Sequence, residues 1–306
     1  MIGVTLKQLR YFDALARHAH FGRAASACAI SQPALSMQIR ELEQALGTAL
    51  VERNARQVRL TALGEEFALR ARDILRSVDE LGELARASRG GLLGRLRLGV
   101  IPTVAPYLLP AIIGDLARAH AGIDIRVRET QTPRLITELS EGRLDAAIVA
   151  LPVSEPAFTE VPLFSEDFVL VRPMEDAGKP VPSGEMLGTM RLLLLEEGHC
   201  FREQALSFCA LSARPRDLLD GSSLSTLVQM VSAGFGVTLI PDMAVPVETR
   251  SAAVALARFE APCPSRTIGM IWRSTNPLAR QLAQIADIVR QSATALRRDA
   301  SPVPAG

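Results

Sequence analysis

The chain has 306 residues, enough for two or three domains with sizeable cores. No apolar run approaches the roughly 20 residues of a membrane span, and the start MIGVTLKQLRYF lacks the continuous apolar centre of a signal peptide, so a cytosolic protein is expected. Charge is nearly balanced at 34 Lys plus Arg against 33 Asp plus Glu, yet residues 1–97 hold 15 basic and 10 acidic side chains, a net +5 that suits a polyanionic partner.

The pattern opens with helices. Thr5 and Gln8 have capping-box spacing, and Leu6, Leu9, Phe12 and Leu15 mark one helical face. A short helix fits FGRAASACA, 21–29. Ser31 is a good N-cap, and Pro33 is tolerated in the first turn that follows. Leu35, Ile39, Leu42 and Leu46 then form a buried stripe, while Gln32, Ser36, Met37 and Arg40 fall away from it, and Gly47 can end the helix. Helix, short turn, helix with a polar outer face is the geometry that lays the second helix in a DNA major groove. The segment LVERNARQVRLT, 50–61, adds Arg53, Arg56 and Arg59 around a hairpin turn at Asn54-Ala55, suited to gripping the phosphate backbone. The competing reading is an ordinary three-helix domain with solvated arginines. If DNA is bound, the candidate contact residues are Ser31, Gln32, Pro33, Ala34, Ser36, Met37, Arg40, Arg53 and Arg56.

A long helix fits Ala62 to Ser88. Phe67, Ala71, Ile74, Val78, Leu81 and Ala85 make a heptad seam that wants a partner helix, either in its own chain or in a second copy. Gly90, Gly91 and Gly94 mark a hinge. From Arg95 the texture changes to alternating strands and helices: strands at 95–101, 123–129, 144–150, 168–172, 191–195, 236–240 and 267–272, and helices at 106–120, near 133–141, near 224–233 and near 278–297. That alternation predicts a parallel sheet, in one large α/β lobe or two smaller ones. The tail SPVPAG is expected to be disordered.

Several familiar motifs fail. Gly234-Phe235-Gly236 follows a helix and precedes a strand, the reverse of a dinucleotide loop. No Walker loop and no HExxH helix occurs, and His199, Cys200, Cys209 and Cys263 are irregularly spaced for zinc, so no metal and no cofactor is expected. Cys28 reads as core, and Cys263 lies between two prolines with no assigned role.

The stretch LLLLEEGHCFREQALSFC, 192–209, holds the other two cysteines. If 200–209 is helical, Cys200 and Cys209 are separated by roughly 13.5 Å along the axis, on opposite faces, whereas a disulfide needs Cα atoms within roughly 7 Å. Helix and disulfide therefore exclude each other, and the segment is a candidate bistable element. A helix N-terminus, an imidazole and a guanidinium all favour thiolate at Cys200, with His199 and Arg202 as sources, while Glu196, Glu197 and Glu203 should point elsewhere. Cys209, among Phe208, Ala210 and Leu211, reads as a buried thiol able to capture a sulfenic acid on Cys200. The alternative is a pair of plain core cysteines.

The stretch FGRAASACAISQPALSMQIRELEQALGTALVERNARQVRLTALG, 21–64, resembles the winged helix-turn-helix of LysR-type transcriptional regulators, and SSLSTLVQMVSAGFGVTLIP, 222–241, is similar to that family's effector domain. Within the family, IPTVAPYLLP, 101–110, and GHCFREQALSFC, 198–209, resemble the peroxide-sensing members. The resemblance covers essentially the whole chain. It implies an α/β protein with an all-α-type winged helix-turn-helix at 1–61, a dimerisation linker helix at 62–90, and a regulatory domain at 91–300. That domain would have two periplasmic-binding-protein-like lobes, one at about 95–165 and 268–298, the other at about 166–267. It also implies Cys200 as the peroxide-reactive cysteine and Cys209 as its disulfide partner, with Thr103, Thr132, His199, Arg202 and Arg266 around the peroxide. Glu203 stands where these sensors often carry Asp. Implied partners are double-stranded operator DNA, hydrogen peroxide, RNA polymerase, thiol reductants such as glutaredoxin, and further copies of the chain in dimers or tetramers. The rival readings are a LysR-type regulator answering a metabolite held between the lobes, a thiol peroxidase, and a solute-binding protein.

Overall fold

A computed structural model describes residues 3–52, 58–87, 94–209, 219–261 and 263–299. The chain divides into two compact units, Met1–Arg86 and Ala87–Gly306.

The first unit contains α1 (Leu6–His18), α2 (Phe21–Ala27), α3 (Gln32–Leu46), a hairpin of β1 (Val51–Glu52) and β2 (Arg59–Leu60), and α4 (Ala62–Ala87). Each short helix starts on a side-chain cap that satisfies otherwise orphaned backbone N–H groups. Thr5 and Gln8 close the capping box, with the Gln8 amide N donating to Thr5 Oγ1 at 3.2 Å and the Thr5 amide N to Gln8 Oε1 at 3.0 Å. His20 Nδ1 accepts from Gly22 N at 3.0 Å, and Ser31 Oγ accepts from Ala34 N at 3.4 Å. Gly47 ends α3 at φ +70°, where a side chain would be strained.

The core of this unit is Leu9, Phe12 and Leu15 from α1, Ala24 and Ala25 from α2, and Leu35, Ile39 and Leu42 from α3, all buried. Leu6 departs from the predicted face. It sits at the first helical position and is exposed. Glu43 ties the hairpin down, since its carboxylate accepts from Leu50 N at 2.9 Å and Val51 N at 3.1 Å. Gly64 is a close-approach position, where a Cβ would stand 2.1 Å from the Leu50 carbonyl oxygen. The hairpin turn with Arg53, Asn54, Ala55 and Arg56 lies outside the described residues.

The heptad seam of α4 divides into two parts. Phe67 packs edge-on against Phe12 with ring centroids 5.4 Å apart, and Ala71 is buried, so this end belongs to the chain's own core. Arg72 and Asp13 pair at 2.8 Å on the same side. Farther along, Ile74 is 48% and Leu81 64% exposed.

The second unit runs β3 (Arg95–Val100), α5 (Ala105–Ala119), β4 (Asp124–Glu129), α6 (Thr132–Ser140), β5 (Ala146–Leu151), β6 (Phe158–Pro173), α7 (Gly184–Thr189), β7 (Leu192–Leu195), α8 (Cys200–Phe208), β8 (Leu219–Gly221), α9 (Leu224–Ser232), β9 (Val237–Pro241), α10 (Val245–Glu248), β10 (Val254–Arg258), β11 (Ser265–Arg273) and α11 (Ala279–Asp299). Its strands join in the order β4-β3-β5-β11-β6-β9-β7-β8, with β10 also on β6.

The expected all-parallel sheet is corrected to a mixed one. The pairs β3–β4, β3–β5, β7–β8 and β7–β9 are parallel, whereas β6 and β11 run antiparallel to all their partners. The strand predicted at 168–172 is the second half of β6, a 16-residue strand. Its first half feeds one core through Phe158 and Leu163, and its second half feeds another through Phe168 to Val171. The first core gathers β3, β5, β11, α5, α6 and α11; the second gathers β7, β9, α8 and α9. These are two lobes joined through β6 and β11, and the segment carrying both cysteines hangs from the end of β7.

Candidate functional site

The site is built around the start of α8. β7 ends at Leu195, and Glu196 to His199 lead into the helix. Gly198 makes the turn at φ +93°, and a Cβ there would lie 2.4 Å from Gln131 Oε1. His199 is the N-cap, though its side chain makes no cap bond. Cys200 is the first helical residue, half-buried and packed against the first lobe's core. Cys209 is the C-cap, buried in the second lobe's core.

Both sulfurs are free thiols at opposite ends of one helix. At 1.5 Å per residue that helix holds them roughly 13.5 Å apart along its axis. Burial pushes the Cys209 thiol up to about 11, so it stays protonated in place. Burial also holds the His199 imidazole below its ordinary value, against an opposing pull from Glu196. Burial therefore favours the neutral form of the His199 ring. Glu196, Glu197 and Glu203 are all exposed, and Glu196 lines the same cavity as His199.

Arg202 makes its contacts within the second lobe. Its buried guanidinium donates through Nη1 to the Leu195 carbonyl at 2.6 Å and to the Asp220 carboxylate at 2.6 Å. The charge is committed to the β7–β8 junction, where it braces the strand that leads to Cys200. Asp220 was missed by sequence reasoning because only the sheet pairing Leu194↔Asp220 brings it there.

Thr103, Arg266 and Glu166 form a second cluster. Arg266 Nη1 donates to Thr103 Oγ1 at 2.7 Å and Nη2 to the Thr103 carbonyl at 3.0 Å. Its Nε and Nη2 donate to Glu166 Oε1 at 2.9 and 2.8 Å. Glu166 Oε2 accepts from Met243 N at 3.1 Å. The Phe201 ring covers the guanidinium at 5.4 Å. Arg266 thus fixes the threonine from the first lobe beneath the first turn of α8. Thr132, the first residue of α6, has a buried Oγ1 that makes no hydrogen bond among the described residues.

A cavity of about 330 Å³ lies between the lobes, and Thr103, Tyr107, Gln131, His199, Ser223 and Glu248 are among the residues lining it. Thr103 and His199 share it, whereas Thr132, Cys200, Arg202 and Arg266 do not line it. Across its mouth Tyr107 Oη donates to Glu248 Oε1 at 2.6 Å, and Ser225 Oγ donates to Glu248 Oε2 at 2.5 Å. Burial and the Glu248 carboxylate push the Tyr107 phenol far above its ordinary range.

In the first unit, α3 exposes Gln32, Pro33, Met37 and Arg40, together with its N-cap Ser31, while Ala34 and Ser36 are half-buried. Arg59 is exposed on β2, and Arg53 and Arg56 lie outside the described residues. Cys28 is half-buried against the helical core, and the Cys263 thiol donates to the Pro264 carbonyl at 3.5 Å. Among the described residues no group of three or more His, Cys, Asp or Glu is arranged to hold a metal ion, and no helix is long and apolar enough to cross a membrane.

Two family descriptions match the chain. Residues 6–65 match the bacterial regulatory helix-turn-helix protein of the lysR family, and residues 89–294 match the LysR substrate binding domain. The hydrogen peroxide-inducible genes activator of Dickeya chrysanthemi is 42% identical over 291 residues, covering 94% of this chain and 95% of that protein. A full-length OxyR cysteine variant from Pseudomonas aeruginosa superposes with a TM-score of 0.74 at 38% identity, covering 94% of this chain and 95% of that one. A Corynebacterium glutamicum OxyR cysteine mutant with H2O2 bound gives 0.67 at 34% identity, covering 97% and 94%. Matched from its first helix to its last, the chain belongs to the lysR family of bacterial regulatory helix-turn-helix proteins.

Proposed function

We propose that this regulator senses hydrogen peroxide through Cys200 and reports it by a reversible Cys200–Cys209 disulfide that alters its DNA contacts. The observation that carries the reading is the placement of two free thiols at the two ends of α8, one half-exposed beside His199 and the other sealed in the core. The names and bound peroxide of the similar proteins support it.

The chemistry balances with peroxide as the oxidant. The Cys200 thiolate sulfur attacks one peroxide oxygen, an S–O bond forms, the O–O bond breaks, and the departing hydroxide takes a proton to leave as water. The Cys209 sulfur then attacks the sulfenic sulfur, an S–S bond forms, the S–O bond breaks, and a second water leaves. Two thiols are oxidised by two electrons, and one peroxide is reduced to two waters. Thr103, Thr132 and His199 surround the peroxide, with Arg266 holding Thr103. Arg202 holds the approach strand. Closing the disulfide unwinds α8, since the intact helix keeps the sulfurs apart.

In this reading residues 1–61 bind operator DNA, α3 presents Ser31, Gln32, Pro33, Ala34, Ser36, Met37 and Arg40 with Arg53 and Arg56 in the wing, residues 62–90 bring copies together, and residues 91–300 regulate. The protein works in the cytoplasm as a homodimer or homotetramer, contacts RNA polymerase, and is reset by a glutaredoxin-type reductant. The test is substoichiometric peroxide followed by thiol mapping. Loss of the Cys200 and Cys209 thiols together is expected, and their survival while Cys28 or Cys263 oxidises would sink the sensor. A second reading has support from the 330 Å³ cavity, which has room for a small metabolite. Under it, Cys200→Ser leaves induction intact.

A further inference from the structure

Gln131 spans the gap between the lobes at the peroxide site. It is the N-cap of α6, yet its side chain makes no cap bond. Gln is also outside the set of residues favoured at that position, whose short side chains reach back to the first turn. The backbone of Gln131 starts α6, its carbonyl accepting from Arg134 N and Leu135 N at 3.1 Å each. The side chain goes elsewhere: Nε2 donates to the Glu197 carbonyl at 3.1 Å. Its amide also lies flat against Gly198, in the space a Cβ would fill. So one face of the 197–198 turn is held by hydrogen bond and by contact, and both come from one residue of the other lobe. The next residue on the Gln131 side is Thr132, whose buried Oγ1 has no partner among the described residues. The next residues on the other side are His199 and Cys200.

We infer that Gln131 is a positioning residue, which sets the distance between the Cys200 thiol and the lobe that carries Thr103 and Thr132. The inference rests on the peroxide reading above. Sulfur attack on an O–O bond needs the sulfur and the peroxide aligned, and a displacement of about 1 Å costs such a reaction on the order of 10- to 100-fold in rate. A thiol reagent that needs nothing from the first lobe is insensitive to that distance. Gln131 therefore controls the peroxide reaction selectively.

The experiment uses the reduced full-length chain. The rate of loss of the Cys200 thiol is measured by quenching and peptide mass analysis, once with hydrogen peroxide and once with iodoacetamide. Gln131→Ala removes the strap. Gln131→Glu keeps the size but has no N–H for the Glu197 carbonyl, and it serves if the alanine variant folds poorly. Both variants are expected to lose about tenfold or more with peroxide and to stay within about twofold with iodoacetamide. Wild-type peroxide rates in both variants would overturn the inference, leaving the sensor reading intact. Equal losses with both reagents would also overturn it, since they mean the loop has merely collapsed. A wild-type Cys200 inert to peroxide, with iodoacetamide reacting normally, would overturn the sensor reading itself.

Discussion

Arg266 of β11 and Glu166 of β6 stand directly opposite one another in antiparallel register, although 100 residues separate them in the chain. Their side chains are essentially sealed from water and meet at 2.8 Å. A buried pair of this kind is weak evidence of net stabilisation, but breaking it leaves an uncompensated charge in the core. Glu166→Gln is expected to cost about 3–5 kcal/mol in a urea titration. A loss under about 1 kcal/mol would mean that water or another group reaches the guanidinium.

His199 gives the regulatory unit a pH dependence. Its folded pKa is lowered by burial, so between the folded and unfolded values the unfolded chain binds more protons. Stability is then complete above the ordinary value of 6.5 and declines as pH falls below it. The slope from one such group is at most about 1.4 kcal/mol per pH unit. His199→Gln should flatten the wild-type curve in that window, and parallel curves for the two proteins would refute the assignment.

The exposed end of the α4 seam should be an association surface. Ile74 and Leu81 lie a heptad apart, both well exposed, on a helix whose seam residues Phe67 and Ala71 are already used inside the unit. Ile74→Glu with Leu81→Glu is expected to move the protein to a smaller species in sedimentation while leaving its helix content unchanged. An unaltered sedimentation coefficient would place the contact elsewhere.

Arg40 projects from the outer face of α3. If it meets a phosphate, Arg40→Ala weakens binding to every DNA sequence alike and lowers the salt slope by about 1. If it meets a base edge, the variant instead loses about 1–3 kcal/mol of discrimination at one position. A titration over a salt series with matched and scrambled operators separates the two.

What the sequence disclosed and what it hid follow a physical division. The Thr5 box, the Ser31 cap, the Leu35–Ile39–Leu42 stripe and the α8 helix depend on neighbours within a few residues, and periodicity reports them directly. The first half of β6 was hidden because Thr159, Glu160 and Pro162 interrupt its apolar pattern, and a register shift at Ile268/Gly269 breaks the regular pairing with β11. At the site, the helical separation of Cys200 and Cys209 was legible, as was the burial of Cys209. The true partners of the arginines were not. Asp220 beside Arg202 and Glu166 beside Arg266 are set by strand register, which no local pattern encodes. The same holds for Gln131, whose partner carbonyl is 66 residues away.

The strand order also bears on how the chain is made. β5, reading AAIVAL and almost wholly buried, lies between β3 and β11. During synthesis β3 is available early, but β11 emerges more than a hundred residues after β5. Until then β5 presents a row of free amide and carbonyl groups on an apolar strand, a template for pairing with another molecule. A product terminated before Ser265 keeps that edge open permanently. Premature stops anywhere in the second lobe should therefore yield insoluble material instead of a soluble half-protein.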